Sequence, residues 1–263
     1  MKLYVIPIEN ACCGSCQVCI TRFKKDQRFG QTLNIARLSQ IQDLDIDKIE
    51  ITGGGDPLLH PQIDRIMDVC LHKAPTQIYT NGFYLADHLD SGILQRLSYL
   101  CLSRMHYDNA QNLKLMGVNQ GVALHLLTAM GISVKLSLVL QRSGISTVSE
   151  VFKYLAWADA CHAKKVVIRQ MFDYDPITTK EEYEQLLAME YVSSESIFWD
   201  MHIKEYQLDS QGNPIFRWKD LEVEVEYRSC ACEISSPALR GNGQIYLGWS
   251  NTPWHDRRKE EKL

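Results

Sequence analysis

Three cysteines lie close together near the start of the chain, and their spacing suits metal chemistry. Cys12, Cys16 and Cys19 follow the first strand-like segment and are separated by three residues and then by two. Three thiolates in one short loop can each bind one iron of a cubic [4Fe–4S] cluster. The fourth iron is then left without a protein ligand and is open to an external molecule, which makes an electron-transfer cluster reactive.

A fourth thiol in the same loop, Cys13, leaves other interpretations open. A zinc site could use Cys12, Cys13, Cys16 and Cys19, although two adjacent cysteines have difficulty pointing at one tetrahedral ion. No second cysteine pair or histidine pair follows nearby to complete a zinc knuckle. The thiols could also be inert.

A glycine-rich segment follows the second strand-like run. Gly53, Gly54 and Gly55 are followed directly by Asp56 and Pro57. Glycines allow the backbone to approach a ligand closely and to adopt positive φ, and a carboxylate among them can pair with an ammonium group. The alternative is an ordinary strand-to-helix turn, for which Gly-Asp-Pro is common chemistry.

Strand-like runs alternate with amphipathic helical segments over the first two thirds of the chain. The strand-like runs are Lys2–Ile8, Lys48–Thr52, Gln77–Thr80, Tyr99–Ser103, Ser133–Leu140 and Lys165–Met171. This pattern predicts an α/β fold, a six-stranded parallel partial (β/α)6 barrel with right-handed crossovers. Such folds place ligands at the carboxyl ends of the strands, where both motifs fall.

The alternation stops after Met171. We therefore expect residues 1–171 to form the barrel core and residues 172–263 to form a small C-terminal extension. Its strand-like runs bounded by Gly, Asn or Pro predict antiparallel structure that closes the open side of the barrel.

Taken in order, these motifs resemble the radical S-adenosylmethionine (radical SAM) family, and the molybdenum-cofactor-synthesis and peptide-modifying branches most closely. The three cysteines match the cluster motif, which implies that Cys12, Cys16 and Cys19 are the metal ligands. Gly54, Gly55, Asp56 and Pro57 match the family's Gly-Gly-Glu-Pro motif, with Asp in place of Glu. Val18 stands where the family usually has an aromatic residue that packs on adenine.

The resemblance implies further contacts with S-adenosylmethionine (SAM) at the strand ends. The glycine motif would hold the methionyl amino group, and the later strands would contact the carboxylate, ribose and adenine. An arginine at the end of the sixth strand could bind a carboxylate in a bidentate manner. The implied residues outside the glycine motif are Thr80, Asn81, Ser103, Ser137, Gln141, Ile168 and Arg169.

The activity that the resemblance implies is radical chemistry. An external one-electron reductant, such as flavodoxin or ferredoxin, would reduce the cluster, which would cleave SAM to a 5′-deoxyadenosyl radical. The radical would abstract a hydrogen atom from a small-molecule or short-peptide substrate. A peptide epimerase or crosslinking enzyme is the alternative within the family, and a non-catalytic metal-binding or redox module is the alternative outside it.

Two further cysteines, Cys230 and Cys232, lie in the C-terminal part of the chain. They could be catalytic hydrogen donors to a substrate radical, ligands of an auxiliary Fe–S cluster, or plain buried cysteines. The sequence leaves these three roles open.

The composition limits the partners. The net charge of −4 does not indicate a broad basic surface of the kind that binds nucleic acid. No apolar run approaches the roughly 20 residues that a membrane helix needs. Nine cysteines in a chain whose start does not resemble a secretion signal indicate reduced thiols and a cytoplasmic location.

Overall fold

The computed structural model describes residues 1–23, 31–172, 180–227, 236–248 and 252–254. The strands of these residues join one sheet. In chain order they are β1 (Lys2–Val5), β2 (Lys48–Ile51), β3 (Thr76–Thr80), β4 (Tyr99–Ser103), β5 (Val134–Val139), β6 (Lys165–Arg169), β7 (Gln207–Leu208), β8 (Pro214–Trp218), β9 (Leu221–Glu226), β10 (Pro237–Leu239) and β11 (Ile245–Leu247).

Six α-helices and several short 3₁₀ segments connect the strands of the described part. The helices are α1 (Ile63–Lys73), α2 (Asn109–Met116), α3 (Leu124–Ala129), α4 (Val148–Ala160), α5 (Lys180–Glu190) and α6 (Ser194–Asp200). The 3₁₀ segments are Ile20–Phe23, Ile35–Ile41, Pro57–Leu59, Leu85–His88 and Leu94–Arg96. Among the described helices, none is long and apolar enough to cross a bilayer.

The strand order confirms the predicted α/β class and corrects the extent of the sheet. The sheet has eleven strands in the order β11-β10-β1-β2-β3-β4-β5-β6-β9-β8-β7. The six predicted strands form its centre, adjacent in chain order and parallel. A six-stranded partial barrel therefore does not describe the whole sheet.

The C-terminal part adds strands to both edges of this centre, and the expectation that its strands are antiparallel is wrong for two of them. β9 pairs with β6 and β10 pairs with β1, both in parallel. On their other sides β9 and β10 pair antiparallel, with β8 and β11, and β7 pairs antiparallel with β8. The physical reason is that β1 and β6 would otherwise be exposed edges with unpaired backbone groups, and β10 and β9 satisfy those groups.

The two faces of the sheet differ in character. One face carries fully buried apolar side chains, and these pack with the buried residues of α1 and α4 in one core. The alternate positions carry polar and charged side chains, as the two-residue period of a strand requires. The polar positions include Glu50, Gln77, Tyr79, Lys135 and Arg169.

We predict that β9 unfolds together with the core. Val223 of β9 lies in register with Val166 of β6, and both side chains are fully buried. Val223→Ala and Val166→Ala should each lower the free energy of unfolding by about 2 kcal/mol, because each removes buried apolar surface. Urea denaturation measures the change, with the exposed Asp220→Ala as a neutral control. A main transition that Val223→Ala leaves unchanged would make β9 an independent appendage.

Candidate functional site

The loop that carries the cysteines lies directly against the glycine-rich loop at the carboxyl edge of the sheet. The backbone N–H of Asp56 donates to the carbonyl oxygen of Ala11 at 2.8 Å. A Cβ atom at Gly55 would overlap the carbonyl group of Ala11, and one at Gly54 would overlap the side-chain oxygen of Asn10. The close approach of the two loops therefore requires glycine at Gly55, where the overlap is with backbone, and leaves little room for a Cβ at Gly54.

The carboxylate of Asp56 joins the end of β2 to the end of β3. It is 2% exposed and accepts hydrogen bonds from the backbone N–H of Leu58 at 3.0 Å and of Asn81 at 2.8 Å. The hydroxyl of Thr80 donates to both of its oxygens at 2.9 Å. Burial raises the pKa of Asp56, and the hydrogen bonds that it accepts act in the opposite direction.

These bonds give Asp56 a structural task. A carboxylate has about four acceptor sites, and three donors of the protein already use most of them. The side chain caps the short 3₁₀ segment Pro57–Leu59, with the buried Pro57 at the first position of that segment. The predicted contact with an ammonium group would therefore compete with bonds inside the protein.

The thiols of the cysteine loop are close enough to influence one another. Burial raises the pKa of Cys12 to about 11 and that of Cys16 to about 12. Neighbouring thiols add to the rise: Cys13 acts on Cys12, and Cys19, Cys12 and Cys13 act on Cys16. A metal that binds here must displace the protons of these thiols.

This donor set, several thiols gathered on one loop, has the chemistry of an iron–sulfur site. A cluster holds each thiolate on a different iron, so its ligands need not converge on one point. Within the described ranges, no group of three His, Cys, Asp or Glu side chains is arranged to hold a metal ion.

The C-terminal end of α2 supports the cysteine loop from the other side. The backbone N–H of Ser15 donates to the carbonyl of Met116 at 2.9 Å, and that of Gln17 donates to the carbonyl of Leu115 at 3.2 Å. Gly117 follows the helix with a φ of +71°, and a Cβ at this position would overlap the hydroxyl of Ser15. This support joins residues that are distant in the sequence, and a glycine just after a helical segment is its one local signal.

The structure brings Ser137 and Arg169 together on the polar face. The guanidinium of Arg169 donates to the Ser137 hydroxyl at 3.2 Å and binds the carboxylate of Glu226 through two nitrogens, at 2.5 and 3.0 Å. The bidentate carboxylate partner of Arg169 is thus a residue of β9, about 57 positions away in sequence. Ser103, at the end of β4, is in register with Ser137.

Ile168 is not brought together with these residues. Its side chain is fully buried in the apolar core on the opposite face of the sheet. Strand alternation explains the separation, because consecutive residues of β6 point to opposite faces.

Gln141 is a buried amide without a partner. The residue is 1% exposed, and neither its Oε1 nor its Nε2 forms a hydrogen bond within the described part of the chain. It follows the carboxyl end of β5, and a Cβ placed at Gly144 would lie 3.2 Å from its Nε2. Burying an unpaired amide is costly, so this site fits a polar ligand at the strand ends.

A buried lysine network on the polar face was not identified from the sequence. Lys135 of β5 donates to the side-chain oxygen of Gln77 and to the hydroxyl of Tyr79, both at 3.0 Å. Burial lowers the pKa of Lys135, and nearby groups such as Glu50 oppose this. The two-residue alternation of Lys135 and Ser137 was the available signal, but the partners come from a distant strand.

Cys230 and Cys232 lie outside the described residues. Their predicted roles as hydrogen donors or auxiliary cluster ligands therefore stay predictions.

We predict that removing the Asp56 carboxylate destabilises the protein even without any cofactor. Asp56→Ala leaves two backbone N–H groups and one hydroxyl without an acceptor. It should lower the free energy of unfolding by about 3 kcal/mol. Thr80→Val removes only one donor and should lower the free energy of unfolding by about 1 kcal/mol. Urea denaturation of the metal-free protein measures both. Equal effects of the two variants would show that the carboxylate is not the centre of this network.

Four solved structures, of three different proteins, share the fold of this chain. SuiB from Streptococcus suis bound to S-adenosylmethionine aligns with a TM-score of 0.66 and 16% identity, over 97% of this chain and 62% of SuiB. SuiB bound to its precursor peptide SuiA gives a TM-score of 0.62 at 14% identity, with the same coverage. The chain thus spans 62% of the length of SuiB.

The other likenesses are weaker. anSMEcpe with bound AdoMet aligns with a TM-score of 0.56 and 13% identity, over 94% of this chain and 74% of that protein. TYW1 with a lysine–pyruvate adduct aligns with a TM-score of 0.51 and 11% identity, over 82% of this chain and 75% of that protein.

No protein-family model and no curated protein matches the chain. The chain shares its fold with SuiB, anSMEcpe and TYW1.

Proposed function

We propose that the protein is a radical SAM enzyme. The observation that carries the proposal is the contact of the cysteine loop, the glycine loop and the end of β3 at one edge of the sheet. Ala11 of the cysteine loop accepts a hydrogen bond from Asp56, and Asp56 accepts one from the backbone of Asn81. The side-chain amide of Asn81 in turn lies 3.4 Å from the sulfur of Cys12. A non-catalytic metal-binding module would need the thiols but not this arrangement.

In this proposal Cys12, Cys16 and Cys19 hold a [4Fe–4S] cluster, and SAM lies over the glycine loop. When bound, the reduced cluster supplies the electron that cleaves SAM and yields a radical for hydrogen abstraction. The glycine loop offers backbone groups to the methionyl end of SAM, since the Asp56 carboxylate is occupied inside the protein. Gln141 offers a free amide to the polar part of SAM.

The protein's own contribution is positioning and shielding. The polar face of the sheet, with Lys135, Ser137 and Arg169, would lie beneath SAM and next to the substrate. Its charges are already paired or hydrogen-bonded, so they stay fixed when a ligand arrives. Fixed dipoles orient a substrate at little reorganisation cost.

A peptide is the substrate class we favour. SuiB has been crystallised with its precursor peptide, and it shares the fold over nearly all of this chain. A small molecule is the alternative, and an external reductant such as flavodoxin or ferredoxin would supply the electron.

The test uses anaerobically purified protein reconstituted with iron and sulfide. We expect about four irons per chain, and formation of 5′-deoxyadenosine when dithionite and SAM are added. Cys12→Ala, Cys16→Ala and Cys19→Ala should each lose iron and cleavage. Cys13→Ala is the matched control and should retain both. Zinc binding without iron uptake or cleavage would contradict the proposal.

Gln141 allows a test that separates ligand binding from folding. In the variant Gln141→Leu, the leucine side chain is similar in size to glutamine. The substitution removes an amide that is unpaired in the free protein. Its free energy of unfolding should therefore be unchanged or higher, while SAM should bind about tenfold more weakly through loss of one hydrogen bond. Urea denaturation and calorimetric titration with SAM measure the two quantities. Unchanged SAM affinity would remove Gln141 from the site.

A further inference from the structure

We propose that the side-chain amide of Asn81 tunes the reduction potential of the cluster by donating hydrogen bonds to sulfur. This inference rests on the proposed function, because it needs a cluster on the cysteine loop. The Nδ2 atom of Asn81 lies 3.4 Å from the Sγ of Cys12 and 3.4 Å from the Sγ of Cys13. Its two hydrogens can serve one sulfur each.

The orientation of the amide is fixed by its other contact. The Oδ1 atom of Asn81 accepts a hydrogen bond from the backbone N–H of Phe83 at 2.9 Å. An amide turned the other way would place two donors against each other at that point. The Nδ2 atom is therefore the amide atom closest to both sulfurs, while Oδ1 also lies 3.8 Å from the Cys13 sulfur, whose thiol can donate to it.

The backbone beneath the amide is held just as firmly. The N–H of Asn81 donates to Asp56, and the N–H of Gly82 donates to the hydroxyl of Thr80 at 3.0 Å. Asn81 itself is buried. The amide is thus a fixed donor, and it costs little to keep it pointed at the cysteine loop.

The electrostatic consequence follows from the charge of the cluster. Reduction adds one negative charge, and a fixed N–H donor stabilises charge on a ligand sulfur. Hydrogen bonds to the sulfurs are among the factors that set the potential of iron–sulfur clusters. Asn81 should therefore make the cluster easier to reduce. Cys13 then shares the amide with the ligand Cys12 without being a ligand itself.

The experiment is a redox titration of the reconstituted protein, monitored by the paramagnetic signal of the reduced cluster. Asn81→Ala removes the donor, and the midpoint potential should become more negative. Asn81→Asp keeps an acceptor for Phe83 but adds a negative charge beside the sulfurs, so it should give the larger negative shift. Both variants retain the main-chain bond to Asp56, because it uses the backbone N–H.

Asn34→Asp is the matched control. It makes the same chemical change at the exposed cap of the segment Ile35–Ile41, where Asp caps as well as Asn. Its midpoint potential should equal that of the unmodified protein. Unchanged potentials in both Asn81 variants, with four irons bound, would overturn this inference and leave the proposed function standing. An unmodified protein that binds no cluster would overturn both.

Discussion

The buried carboxylate of Asp56 is the interaction on which the candidate site depends. Asp56 links three segments that are far apart in the sequence. It lies in the glycine loop, its carboxylate binds the end of β3, and its backbone N–H binds the cysteine loop. Backbone groups of Leu58 and Asn81 hold the carboxylate, and this buried side chain is fixed by its bonds. Glycine at position 55 makes the approach possible, since a Cβ there would overlap the backbone of Ala11.

The sheet supplies the frame for this contact. Its apolar face is buried against helices, while its other face carries hydrogen-bonded and paired charges such as Lys135 and Arg169. Because β9 contributes Glu226, which binds Arg169, the C-terminal part of the chain helps to form this polar face as well as the sheet. A site with preset charges is suited to chemistry that must exclude side reactions.

Much of this could be predicted from the sequence. The six central strands follow from hydrophobic alternation, and the motifs at their ends follow from residue type and spacing. What could not be predicted is long-range pairing: β9 beside β6, the α2 terminus beneath the cysteine loop, and Glu226 bound to Arg169. Local periodicity carries no information on such partners. The predicted role of Ile168 stays a prediction; its side chain lies in the apolar core, whereas that of its neighbour Arg169 lies on the polar face.

In the proposed enzyme, the cysteine and glycine loops hold SAM on an iron that lacks a cysteine. The electron paramagnetic resonance spectrum of the reduced, reconstituted protein, recorded before and after SAM is added, tests this directly. We expect the spectrum to change, because SAM bound at the open iron would alter the ligand field of that iron. A spectrum that SAM leaves unchanged, in protein with a full cluster, would contradict it.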